Sequence, residues 1–245
     1  MMEKANYNSI KNKPTDTRPA PIDPHTLKYK PIDSDKKFFF CIISHEISNK
    51  RSDQLKKLLS EKNRNVIFYY FIGKPEQVEK YIVDEEKKIV TLKVPDNYES
   101  LPMKTYLAIE YVIENHISSI EGIFKTDDDI DINLNLLYNN LCKWSDLDYF
   151  GNPVSVHEPY MSSWHFGKCE DPIIGTTKYL VQIGEYCSGG GYYVNKRNLK
   201  FIQKNKRIFE EGIFEDHCTG LALNSEDIYP DKSIQIKTEG CRWVN

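Results

Sequence analysis

No apolar run in this chain approaches the ~20 residues that span a bilayer. Residues 1–35 also lack the apolar centre of a signal peptide. Read as written, the chain is expected to be cytoplasmic and bacterial or viral, or else a trimmed lumenal catalytic domain. A basic excess is missing too. With 33 Lys and Arg against 36 Asp and Glu, the formal net charge is −3, which leaves no electrostatic footprint for nucleic acid. The six cysteines form no CxxC pair, which argues against zinc. Without a secretion signal they are expected to be reduced thiols in the core. GxGxxG and the P-loop are absent, so neither a Rossmann dinucleotide site nor an ATPase is indicated.

What remains is a globular composition, 245 residues of which 40% are hydrophobic, enough for one sizeable core. Residues 1–35 carry Pro14, Pro19, Pro21, Pro24 and Pro31 among polar neighbours. They read as a flexible Pro-rich tail ahead of a domain over 36–245. The domain opens on Phe38-Phe39-Phe40-Cys41-Ile42-Ile43, a continuous apolar run expected of a central strand covered on both faces. A helix is expected over 54–59 with Leu55, Leu58 and Leu59 on one face. Further strands are expected over 66–72 and 89–94. A long helix follows Ser100 as N-cap, with Pro102 in its first turn. After a strand ending near 127 come a helix over 134–142 and a strand at 148–150. Such alternation predicts an α/β fold with a mostly parallel sheet flanked by helices. Segment 151–182 shows little periodicity and reads as a long surface loop. Helices are then expected from about Asn198 and over 218–223, the second opened by Phe214-Glu215-Asp216-His217.

Ile123-Phe124-Lys125-Thr126-Asp127-Asp128-Asp129 is the most informative stretch. A buried strand runs straight into three carboxylates, and a fold that gathers like charges usually offers them a cation. Carboxylate oxygens suit Mg²⁺ or Mn²⁺, above all when a substrate phosphate completes the shell. An EF-hand loop fails, because Ile132 and Tyr138 stand where Gly and Glu are needed. A phosphatase with Asp129 as nucleophile and Asp131 as acid would place this strand first, and three are expected before it. A solvated turn is the ordinary fate of a charge run, but the apolar lead-in ties these acids to a strand end. A nucleotide-sugar site, with one carboxylate on metal and another on the ribose or a bridging water, is preferred.

Ser188-Gly189-Gly190-Gly191 permits a tight turn and nothing more, or lets a sugar approach the backbone between Tyr186, Tyr192 and Tyr193. The two readings are evenly matched on spacing. Glu215-Asp216 serves equally as the acidic start of a helix or as a source of a general base. Arg51 and Lys104 read as surface residues or as counterions for a diphosphate. Trp164, in the irregular segment, is a core residue or a sugar-stacking wall.

These pieces occur in an order that resembles glycosyltransferase family 31, the β1,3-galactosyltransferase, β1,3-N-acetylglucosaminyltransferase and Fringe-like group. Ile42-Ile43-Ser44 with Arg51 is similar to the family's opening strand and arginine segment, and Phe68 to Gly73 to its second strand. Asp96-Asn97-Tyr98-Glu99-Ser100-Leu101-Pro102-Met103-Lys104-Thr105 resembles D-x-Y-x-N-L-x-x-K-T. Lys125-Thr126-Asp127-Asp128-Asp129 resembles K-x-D-D-D. Tyr186 to Tyr192 resembles Y-x-x-G-x-G-Y, and Glu215 to Gly220 resembles E-D-V-x-x-G. The match is collinear over roughly residues 38–223.

The resemblance implies a GT-A fold and inverting, Mn²⁺- or Mg²⁺-dependent transfer from a UDP-sugar to a glycan, glycoprotein or other hydroxyl acceptor. A β1,3 linkage is the further expectation. It places Asp129, with Asp127, on the metal and Asp127 or Asp128 on the nucleotide sugar. Ser44, Arg51, Lys104, Gly189 and Gly190 would also stand at the donor, and Trp164 and Tyr186 at the acceptor. Asp216 would be the general base. The chain departs from the family in having no histidine after His217 to add a metal ligand, and in showing no membrane anchor. The alternative is a non-catalytic nucleotide-sugar or glycan-binding module on the same fold.

Overall fold

The computed structural model describes residues 30–236, apart from 47 and 49, and the backbone strand Cys241–Trp243. The proposed tail over 1–35 therefore lies largely outside the described residues. Its last part, from Lys30, rests on a helix described below. There the Asn139 side chain donates to Lys30 O (3.0 Å) and accepts from Ile32 N (2.8 Å).

Strand β1 (Phe38–Ile43) is buried at every position. Its side chains alternate between two cores, as a period of two demands. Phe39, Cys41 and Ile43 enter one cluster, and Phe38, Phe40 and Ile42 the other. Helix α1 (Lys50–Glu61) is longer than the expected 54–59, and its buried positions are Gln54 and Leu58, one turn apart. Leu59, expected on the apolar face, is 48% exposed, because the next residue along a helix turns about 100° away. Strand β2 (Val66–Gly73) pairs parallel with β1. An unexpected strand β3 (Tyr81–Asp84) runs antiparallel to β4 (Ile89–Leu92). Strand β4 ends two residues before the predicted 94.

Helix α2 (Leu101–Asn115) has Pro102 in its first turn as expected. Ser100 is its N-cap residue but makes no side-chain cap bond. A short 3₁₀ turn then leads into β5 (Gly122–Asp127), β6 (Ile130–Ile132) and helix α3 (Leu134–Trp144). Strand β7 (Tyr149–Phe150) follows.

Segment 151–182 is not a plain loop. It carries β8 (Pro153–Val156), β9 (Tyr160–Ser162) and β10 (Tyr179–Val181). Strand β8 pairs antiparallel with β11 (Gly184–Cys187), and β9 with β10. These strands are three or four residues long, too short for a periodic signature. Strand β12 (Gly191–Asn195) precedes helices α4 (Leu199–Lys204) and α5 (Lys206–Glu211), and α6 (Glu215–Asn224) begins within the 214–217 segment expected to open it. Strand β13 (Cys241–Trp243) pairs antiparallel with β6.

Among the described residues, seven strands form the central sheet in the order β3-β4-β2-β1-β5-β12-β7. Strands β4, β2, β1 and β5 are parallel, while β3 and β12 run against their neighbours. One core cluster joins the sheet to α2 and α4–α6, and the other joins it to α1 and α3. This is the expected α/β class, a mostly parallel sheet flanked by helices. Cys41, Cys142, Cys187 and Cys218 are buried free thiols, and Cys169 is half-buried. No described helix is long and apolar enough to cross a membrane.

Candidate active site

Parallel sheets present ligands at the carboxyl ends of their strands, and β5 ends there on Asp127. Beyond it opens a cavity of about 1030 Å³, walled by Asp127, Asp129, Tyr98, Gly189, Gly190 and Asp216, among others. Trp164 and Tyr186 belong to the same wall. Asp127 and Asp129, Asp216, the glycine loop and both aromatic residues singled out in the sequence are thus brought together. Ser44, Arg51, Lys104 and Asp128 are not on that wall.

The off-wall residues hold the loop that follows β1. Arg51 donates to His45 O (2.8 Å), Glu46 O (3.2 Å) and Ser44 Oγ (3.3 Å). The Lys104 ammonium is buried, donating to Ser44 O (3.1 Å) and to Asp96. Asp96 in turn accepts from Gly73 N (2.8 Å) and Glu46 N (2.7 Å), tying the ends of β1 and β2 to α2. Ser44 Oγ donates to Asp128 Oδ2 at 2.6 Å. Gln54, buried on α1, donates to Ile130 O (2.7 Å) and so fixes the turn that carries the acids.

The three aspartates have different surroundings. Asp127 Oδ1 accepts from Lys125 at 2.8 Å, and Asp128 is satisfied by Ser44. Asp129 Oδ1 is buried without a hydrogen-bond partner. Burial and the neighbouring Asp127 push the Asp129 carboxyl above its ordinary range, against the pull of Lys50 3.9 Å away. An unsatisfied carboxylate oxygen beside a second carboxylate is a site that gains from a cation. Among the described residues no group of three or more His, Cys, Asp or Glu is arranged to hold a metal. Mg²⁺ and Mn²⁺ sites that borrow substrate phosphates use one or two carboxylates, so Asp127 and Asp129 fit that kind of ion.

Sequence reasoning missed the group at the centre. Lys125 is 1% exposed. Its ammonium donates to Asp127 Oδ1, to Gly189 O (3.0 Å) and to Glu215 Oε1. Although burial disfavours its charge, Asp127 and Glu215 hold its pKa above the ordinary lysine range. Glu215 Oε2 accepts from Tyr192 OH at 3.2 Å, and that hydroxyl also meets Thr219 Oγ1 at 3.0 Å. Burial pushes the Glu215 carboxyl up to about 7, against the pull of Lys125. The signal was available: in a strand, residues i and i+2 share a face, so Lys125 had to point the same way as Asp127.

Asp216 sits at the start of α6. Its Oδ2 accepts from Gly189 N (3.0 Å) and its Oδ1 from His217 N (2.8 Å). Burial raises its pKa, opposed by Lys125 and by those two amides. The glycine loop is close for a reason: a Cβ at Gly189 would stand 2.8 Å from Glu215 Oε1. Thr126 Oγ1 pins the same loop through Gly190 O at 2.9 Å. His217 lines the cavity with Nε2 3.1 Å from Gln182 O.

A family model described as galactosyltransferase matches residues 44–233. The chain belongs to that family. The resemblance to glycosyltransferase family 31 is borne out by this match, which spans the K-x-D-D-D and E-D segments alike. No curated protein matches the chain at a significant level. Similar solved structures include a glycosyltransferase involved in the glycosylation of the major capsid of PBCV-1, 14% identical with a TM-score of 0.37, covering 71% of this chain. Another is the apo-form glycosyltransferase GlyE of Streptococcus pneumoniae TIGR4, 13% identical with a TM-score of 0.38, covering 82% of this chain. The chain spans 65% of the first of these and 46% of the second.

Proposed function

We propose that this galactosyltransferase-family chain is an inverting glycosyltransferase that moves a hexose or N-acetylhexosamine from a UDP-sugar to an acceptor hydroxyl, forming a β1,3 linkage with Mn²⁺ or Mg²⁺. One observation carries the reading: a buried, unsatisfied Asp129 oxygen and the raised-pKa carboxylate of Asp216 line the same cavity. The first suits a cation, and the second suits a proton acceptor.

Asp129 and Asp127 would hold the metal, whose charge would stabilise the diphosphate leaving group. Gly189 and Gly190 leave backbone open to the donor sugar. Asp216, fixed by the amides of Gly189 and His217, takes the proton from the attacking acceptor hydroxyl. Its elevated pKa makes it a stronger base than a solvent-exposed aspartate. Lys125 keeps Asp127 and Glu215 in register and leaves Asp216 as the carboxylate with no ammonium bond.

The test is UDP release across a panel of UDP-sugars, with Mn²⁺ or with chelator, for wild type and Asp129→Ala. Release with one donor that requires both metal and Asp129 supports the reading and names the sugar. Metal-dependent UDP binding with no release for any donor and acceptor favours the non-catalytic binding module. No UDP binding at all overturns both.

A further inference from the structure

The cavity wall carries four carboxylates, those of Asp127, Asp129, Glu215 and Asp216. Among its residues Lys168 alone is a lysine or arginine. Lysines deeper in the fold are spent on carboxylates, Lys104 on Asp96 and Lys125 on Asp127 and Glu215. Lys168 has no such partner among the described residues. Its ammonium instead lies over two aromatic faces, 4.1 Å from the ring centroid of Trp164 and 5.4 Å from that of Tyr98. Cation–π contacts hold an ammonium in place while leaving its N–H groups free to donate.

The segment that presents Lys168 is built firmly. Lys168 N donates to His165 O at 3.0 Å, closing a turn through Gly167 at φ +73°. The His165 ring is fully buried, with Nε2 3.0 Å from Ile174 O and 2.9 Å from Thr177 O. Just beyond, the Glu99 carboxylate accepts from Glu170 N (3.2 Å) and Asp171 N (2.9 Å). Partial burial costs the ammonium hydration and lowers its pKa, a cost that an arriving anion offsets.

We propose that Lys168 and Trp164 form an anion-recognising acceptor subsite, taking a sugar that bears a carboxylate or sulfate at its C6. This rests on the glycosyltransferase reading, in which Asp127 and Asp129 take the donor and the β9–β10 side of the cavity is left for the acceptor. The indole supplies an apolar face for the ring, and the ammonium supplies the charge-assisted hydrogen bond.

Ligand-observed NMR with UDP and diamagnetic Mg²⁺ present tests this, using p-nitrophenyl glucoside against its 6-carboxylate and 6-sulfate counterparts. The aromatic aglycone is common to all three, so stacking cancels in the comparison. Wild type is expected to bind a charged probe about 10-fold more tightly than the neutral one, with the preference shrinking as salt rises. Lys168→Gln should erase the preference and Lys168→Arg should keep it, with UDP affinity unchanged in both. Equal binding of all three probes by wild type, or a preference that survives Lys168→Gln, overturns the proposal. So does a Lys168→Gln variant that loses UDP affinity, because the ammonium would then serve the donor. Failure of wild type to bind UDP with Mg²⁺ or Mn²⁺ is a different result and overturns the glycosyltransferase reading itself.

Discussion

Lys125 and Glu215 form a buried ion pair that joins the strand carrying the aspartates to the helix carrying Asp216. Because Lys125 also bonds Asp127, one ammonium sets the spacing between the donor-side acids and the base. Removing one partner of such a pair leaves uncompensated buried charge, at about 3–5 kcal/mol. Lys125→Met is therefore expected to lose stability on that scale in urea unfolding. The neutral double variant Lys125→Met with Glu215→Gln should recover much of it. A double variant no more stable than Lys125→Met would mean the pair is not electrostatically coupled.

Adjacent acids in this site have different work. Glu215 is held by Lys125 and Tyr192, whereas Asp216 has only backbone amides on its carboxylate. Asp216→Asn is expected to lower kcat by about 10²–10⁴-fold, the usual worth of a general base, with UDP affinity within a few-fold of wild type. Steady-state kinetics beside UDP titration checks both halves. Near wild-type kcat in Asp216→Asn would remove Asp216 from the base role.

Asp129 is the acid whose buried oxygen lacks a partner, and its pKa is raised by burial and by Asp127. Mn²⁺ should stabilise the wild type by mass action, raising Tm as its concentration passes the Kd. Asp129→Ala is expected to abolish that rise, and to need no catalytic assay to show it. An equal Mn²⁺-induced shift in the variant would place the metal elsewhere.

The two acidic motifs were legible in the sequence because each marks an abrupt change of character, apolar strand to acids and loop to helix. The central strands were legible for the same reason: Phe38–Ile43 is too apolar to be anything but covered. The supporting residues were not. Gln54 and Lys104 look like surface positions, and their burial follows from contacts made across 76 and 60 residues of sequence respectively. The β8–β11 and β9–β10 ribbons escaped notice because strands this short leave no period to read. For the β8–β11 ribbon, packing on α6 adds to the pairing: its Asn224 amide brackets the backbone of Glu185 at 2.8 and 3.0 Å.

Glu215 also sets a pH dependence. Burial raises its folded pKa to about 7, above the ordinary glutamate value of about 4.5. The folded state thus binds the proton more tightly than the unfolded one. The resulting stability is fully present below about pH 4.5 and is lost as pH rises through about 7, by roughly 1–3 kcal/mol. Asp216 adds to the same trend, since its pKa is also raised. Glu215→Gln should flatten most of the decline in urea unfolding followed from pH 5 to 8. A slope unchanged by that substitution would assign it to other groups.

Gly189 is required by close approach rather than by backbone freedom. A Cβ there would meet Glu215 Oε1 at 2.8 Å and Lys125 Nζ at 3.6 Å. Glu215 cannot swing away cheaply, because Lys125 and Tyr192 grip both of its oxygens. The loop itself is tethered by Gly189 O and Gly190 O. Gly189→Ala must therefore displace either the ion pair or the loop, at about 1–3 kcal/mol for overpacking. The displacement also moves the Gly189 amide away from Asp216, so kcat should fall more than the stability loss alone explains. Gly175→Ala is the matched control, since a Cβ there meets Cys169 Cβ only at 3.6 Å, an ordinary contact. Thermal unfolding and kcat measured on the two variants decide it: if both behave like wild type, the loop has more room beside Glu215 than this geometry allows.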